Sequence, residues 1–196
     1  MKKTLIFARR NALETVRDPV LYIFCLGFPV AMLALFQVIN RYSGVGSHTF
    51  RPAFLVPGVM MFSFTFVMLI MSLLVSRDKS TVLLRRLYAS PLRAWQFVLG
   101  YAIPAVVIGI AQAFVCVGAG AVLSRIVGAA YFSFGSAMLL ILTQLPILLF
   151  CVFLGILFGA LLSDKSAPGI TSVFISASGI LGGAWMPLET MGSFET

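Results

Sequence analysis

The chain has 196 residues, 60% of them hydrophobic and 10% charged, with 14 Lys and Arg against 6 Asp and Glu and a formal net charge of +8. Its apolar runs are too long and too numerous for the remaining polar residues to cover, which excludes a soluble domain and leaves an all-α integral membrane protein. The basic residues flank the apolar runs instead of forming one patch, so the charge reads as membrane topology and not as nucleic-acid binding.

Residues 2–18 (KKTLIFARRNALETVRD) come first. On a helical wheel Leu5, Ala8, Ala12, Leu13 and Val16 share one side, with Ile6 at its edge, and Lys3, Arg10, Glu14 and Arg17 lie opposite. Phe7 falls on the polar side and Arg9 on the apolar one. The pattern predicts an amphipathic helix lying in the membrane interface, its basic side chains near anionic headgroups of the partner lipid. The alternative is a disordered basic leader that only sets topology.

Asp18-Pro19 ends that helix, and five apolar segments follow, at about 20–39, 53–75, 96–121, 134–162 and 170–185. The first is broken by Gly27 and Pro29, the third contains Pro104 and Gln112, and the fourth contains Gln144-Leu145-Pro146. The fourth exceeds what a bilayer core needs, so a tilt or kink is expected. The longest polar interruption is 77–92 (RDKSTVLLRRLYASPL). It opens on Arg77, Asp78 and Lys79, offers helix-start residues at Ser80 and Thr81, and continues with Val82, Leu83 and Leu87 apolar and Arg85 and Arg86 basic. Ser90-Pro91 stops it. The expectation is a short amphipathic helix on the membrane face that touches a partner.

With the N-terminus inside, Lys2, Lys3, Arg9, Arg10, Arg17, Arg77, Lys79, Arg85, Arg86, Arg93 and Lys165 are cytoplasmic, and only Arg41, Arg51 and Arg125 lie outside. That asymmetry predicts a cytoplasmic N-terminus.

The interiors of the second, third and fourth spans carry no Asp, Glu, Lys, Arg or His, which weighs against an ion-coupled carrier. Cys25, Cys116 and Cys151 each sit in an apolar run with no metal or redox spacing. His48 stands alone in a Gly/Ser-rich loop, and no HExxH or serine–base pair is present, so no catalytic or metal site is expected. No P-loop is present either. If the chain moves a solute uphill, another polypeptide supplies the energy.

Two stretches resemble the permeases of ABC-2 type ABC transporters. That family carries an R-E-(K/R)…L-x-R-L-x-x-(S/T)-P run after its second span, matched here by Arg77, Asp78, Lys79, Leu84, Arg86, Leu87, Ser90 and Pro91. It also carries (S/G)-G-x-(F/W)-x-P-L-E after its fifth span, matched by Gly182, Gly183, Trp185, Pro187, Leu188 and Glu189. The amphipathic leader fits as well, so the resemblance covers nearly the whole chain. Asp78 replaces the family's frequent Glu, Val82 its frequent Gly, and these residues are expected to lack the sixth span that the family usually has after the P-L-E stretch.

The resemblance implies a single ABC-2 type transmembrane domain in a bacterial inner (plasma) membrane, working as a homodimer of permeases on separate P-loop ATPase subunits. ATP and Mg would be bound by that ATPase and no cofactor by this chain. It further implies that Arg77, Asp78, Lys79, Arg85, Arg86 and Leu87 couple to the ATPase, and that Trp185, Pro187, Leu188 and Glu189 form part of an outer gate. The function expected is export of a hydrophobic drug, a lipid-linked glycan or a small peptide. The competing readings are a non-transporting scaffold or truncated remnant, suggested by the missing span, and ion-coupled transport.

Overall fold

The computed structural model describes residues 2–19, 22–42, 52–81, 94–128 and 133–181, and every regular element among them is helical. In chain order these are α1 (Lys2–Arg17), a π-helical turn (Tyr22–Gly27) leading into α2 (Phe28–Tyr42), α3 (Pro52–Ser80), α4 (Ala94–Val127), α5 (Phe134–Leu161) and α6 (Ala167–Leu181). Four stretches, Ile23–Tyr42, Leu55–Ser80, Trp95–Ile126 and Phe134–Leu161, are long and apolar enough to cross a membrane. The chain is an all-α, multi-pass membrane protein.

Helix α3 is the axis of the bundle. Its span is 78% buried, against 33% for the α2 span, 28% for α4 and 33% for α5. Met60, Phe64, Val67, Met68 and Met71 on α3 are almost wholly enclosed. The rings of Phe24, Phe28, Phe62 and Phe66 join α3 to the chain around α2 at centroid separations of 4.9 to 5.7 Å. Helix α4 runs antiparallel to α3, with Gln112 Nε2 donating to the Ser63 carbonyl at 3.0 Å. Helix α5 runs in the same direction as α3 and packs closely, because Gly155 and Gly159 present no side chain. A methyl group on either would press on the α3 backbone at Met68 or Ser72. This is the small-xxx-small device by which membrane helices gain dispersion contact where no hydrophobic drive exists between them.

The proline near the start of α2 has a local consequence. Pro29 lacks an N–H and crowds the carbonyl four residues back. The chain responds by running as a π-helix over Tyr22–Gly27 before settling into α2. The break expected at Gly27 and Pro29 is therefore a widened turn.

Several boundaries differ from the expected ones. Helix α3 does not stop at 75 but continues through Arg77, Asp78 and Lys79 to Ser80. Ser80 and Thr81 turn their hydroxyls back onto the carbonyls of Arg77 and Asp78 at 2.8 and 3.0 Å, and the short helix expected after them lies outside the described residues. They close α3, because its last carbonyls have no intrahelical partner. Helix α4 extends to Val127 and takes Arg125, expected in a connection, into its last turn. Helix α6 starts at Ala167, ahead of the expected 170, and its 15 described residues rise about 22 Å.

Helix α1 departs most from its helical wheel. The residues it buries are Thr4, Phe7, Ala8, Asn11 and Thr15, while Leu5, Ile6, Leu13 and Val16 remain exposed. The apolar arc that the sequence offers as the obvious packing face is turned away from the bundle. A third arc carries Arg10, Glu14 and Arg17. The helix thus has one face packed on the bundle, one exposed apolar face and one charged face.

Candidate functional site

The end of α3, the start of α4, the end of α5 and the start of α6 meet at the end of the bundle that carries α1. The polar groups concentrated there begin with Asp78, which is the only acidic residue between Asp18 and Asp164. It is 4% exposed. A carboxylate at that depth needs partners, and it has two. The Arg10 guanidinium grips it in a two-pronged arrangement, with Nη1 to Oδ2 and Nη2 to Oδ1 both at 3.2 Å. Tyr101 of α4, itself fully buried, donates its hydroxyl to Oδ2 at 2.6 Å. Arg10 also reaches Glu14 one turn on, at 2.7 Å. Partial desolvation pulls the Arg10 pKa down, but the hydrogen bond and charge of Asp78, helped by Glu14, more than reverse this and hold it above its ordinary value.

A second link lies beside this one. Pro104 cannot donate to the Gly100 carbonyl, which is left without its helical partner inside α4. Asn11, buried on α1, supplies the missing donor through Nδ2 at 3.1 Å. The absence of a side chain at Gly100 is what lets α1 approach, since a methyl group there would overlap the Phe7 ring. Phe7 fills the space and stacks against Phe97 and Tyr101, at ring separations of 5.2 and 5.1 Å. Helix α1 is docked on α4 by shape, by a rescued carbonyl and by a shared carboxylate.

On the opposite flank of α3, Lys79 Nζ donates to the carbonyls of Ala160 and Leu161 at 2.7 and 3.4 Å. Those are orphan carbonyls of the last turn of α5, which has no basic residue of its own. Ser76 reaches Asp164 in the turn before α6 at 3.4 Å, and Ser72 accepts from Thr171 of α6 at 3.4 Å. Four polar residues along α3 (Ser72, Ser76, Asp78, Lys79) therefore tie its end to α6, the α5–α6 turn, α1 with α4, and α5.

Of the residues expected to act, Arg77 is exposed at the α3 surface, Asp78 is the buried hub, and Lys79 caps α5. Arg85, Arg86 and Leu87, and the expected gate residues Trp185, Pro187, Leu188 and Glu189, lie outside the described residues. Sequence reasoning missed Arg10, Asn11 and Tyr101. The readable signals were a polar stripe at Thr4, Asn11 and Thr15 that matched neither wheel face, and a proline at 104 whose orphaned carbonyl required a donor.

No curated protein and no solved structure matches the chain significantly. The family model described as ABC-2 type transporter matches residues 2–195. A membrane bundle with no nucleotide motif, whose buried polar hub lies within the longest polar stretch of the sequence, accords with that match: the chain belongs to the membrane-domain family of ABC-2 type transporters, as the permease part of an ABC transporter.

Proposed function

We propose that this chain is the permease of an ATP-driven exporter, and that the Asp78 hub carries the thrust of a partner ATPase into the bundle. The single observation behind this reading is the bidentate Arg10–Asp78 pair closed by Tyr101 at the start of residues 82–93. In this scheme Arg85, Arg86 and Leu87 contact the ATPase at the cytoplasmic side, where the N-terminus also lies. Movement of that loop passes to α1 and α4 through Asp78, and to α5 through Lys79. ATP and Mg bind the partner. Two permease copies in a bacterial inner membrane enclose the route, and Trp185, Pro187, Leu188 and Glu189 serve its outer gate. The substrate class that suits Phe- and Met-rich spans is amphipathic, either a drug or a lipid-linked glycan.

The test uses a tagged permease purified from its host membrane with its co-purifying ATPase and reconstituted in vesicles. Arg86→Glu with Leu87→Asp is expected to abolish ATPase retention or coupling. Asp78→Ala is expected to retain the ATPase and its hydrolysis while transport falls by about tenfold, in line with coupling effects of ~0.5–2 kcal/mol. Undiminished transport in both variants would sink the proposal, as would a preparation that never retains a P-loop ATPase.

A further inference from the structure

We infer that the cleft between α1 and α4 is a binding site for one anionic phospholipid, its acyl chain in the cleft and its phosphate on Arg9. The cleft is an open groove of about 510 Å³, lined on α1 by Leu5, Ile6, Ala8, Ala12 and Val16 and on α4 by Ile103, Pro104, Val107 and Ile108. That volume falls among ordinary ligand sites of ~300–1,000 Å³. Ile6 is 70% exposed and Val107 62%, so the surface is apolar and uncovered by the other described residues.

Among the described residues, the one charged residue lining the groove is Arg9. Its place in the middle of the apolar arc is the irregularity of the α1 wheel. A guanidinium there is unfavourable against hydrocarbon unless it reaches the headgroup layer and finds an anion. Arg9 also lines the adjoining recess of about 570 Å³ that holds Arg10, Glu14 and Arg17. Arg10 is already engaged, by Glu14 within the recess and by Asp78 beyond its lining. Arg9 and Arg17 therefore leave a net positive rim beside an apolar slot. The combination matches one amphiphile, an acyl chain bearing a phosphodiester. A zwitterionic lipid satisfies the slot but brings its own cation to the rim, and a free phosphate satisfies only the rim.

This inference rests on membrane insertion and not on the exporter reading, so either can fail alone. The experiment is native mass spectrometry of the purified chain from micelles doped with phosphatidylglycerol or phosphatidylcholine of identical chains. Wild type is expected to retain one phosphatidylglycerol preferentially. Arg9→Gln is expected to lower that preference about fivefold, the effect of one basic residue at an anionic surface. Val107→Trp, which fills the groove from an exposed position, is expected to lower retention of both lipids. Equal retention of the two lipids by wild type, or an unchanged preference in Arg9→Gln, overturns the proposal. So does displacement of the lipid by glycerophosphoglycerol as effective as displacement by intact lipid, since the site would then be a phosphate site without a chain slot.

Discussion

Asp78 and Asn11 illustrate two ways in which one buried polar atom can fix the position of a helix. Asp78 is a charge that cannot be left alone at its depth, and Arg10 and Tyr101 are there because of it. Because the Arg10 side chain is 38% exposed, solvent screening keeps the pair below the cost of a fully buried one, at about 1–3 kcal/mol. Asn11 answers a different need, a carbonyl that Pro104 has orphaned. Its test is a double-mutant cycle in detergent thermal unfolding. Asn11→Ala alone is expected to destabilise by about 1–3 kcal/mol, the cost of leaving a buried acceptor without a donor. In a Pro104→Ala background α4 supplies its own N–H, and the same change is expected to cost less by about 1 kcal/mol. Equal costs in the two backgrounds would show that Asn11 acts by packing alone.

At the scale of elements, composition and hydropathy located the apolar helices well, because runs of that length admit no other state in a bilayer. They located the ends less well. The polar RDKS of α3 remains helical beyond the apolar run because nothing in it breaks a helix, and hydropathy registers only where the oil ends. The face of α1 was not legible, because the wheel ranks faces by apolarity, whereas the bundle selected Phe7, Asn11 and Thr15 for shape and hydrogen bonding and left the apolar arc outside. Asp78 was singled out in the sequence by the family motif, but its burial against Arg10 and Tyr101, which are remote in sequence, was not legible. The close pairing of α3 and α5 yields a prediction at this scale. Gly155→Leu is expected to separate the two helices and sharply reduce folded protein, because the side chain meets the Met68 backbone. Gly135→Ala, with nothing within 4 Å of the added methyl, is expected to be neutral or to stabilise α5 by up to ~1 kcal/mol. Fluorescence size-exclusion profiles and melting curves of the two variants would separate these outcomes.

For the whole molecule, the distribution of burial around α3 predicts a steep gradient of mutational sensitivity. Met71→Ala, at a wholly enclosed site on α3, is expected to cost about 2–5 kcal/mol. Leu142→Ala, 61% exposed on α5, is expected to change stability in detergent by less than about 0.5 kcal/mol. Comparable losses from the two would mean that α3 is not the structural centre. The gradient also divides labour: α3 holds the bundle together, while the outer surfaces of α4 and α5 are free to meet lipid or another chain.

The adjacency of Asp78 and Lys79 has a mechanical consequence. Neighbouring residues on an α-helix point about 100° apart, which is why one reaches α1 and α4 while the other reaches α5. If the end of α3 only slid along its axis, both sets of neighbours would be dragged the same way. If it twisted, one bond would be drawn tight as the other slackened. A torque applied at the foot of α3 would therefore load the α1–α4 contacts and the α5 contact differently, whereas a push along the axis would load both alike.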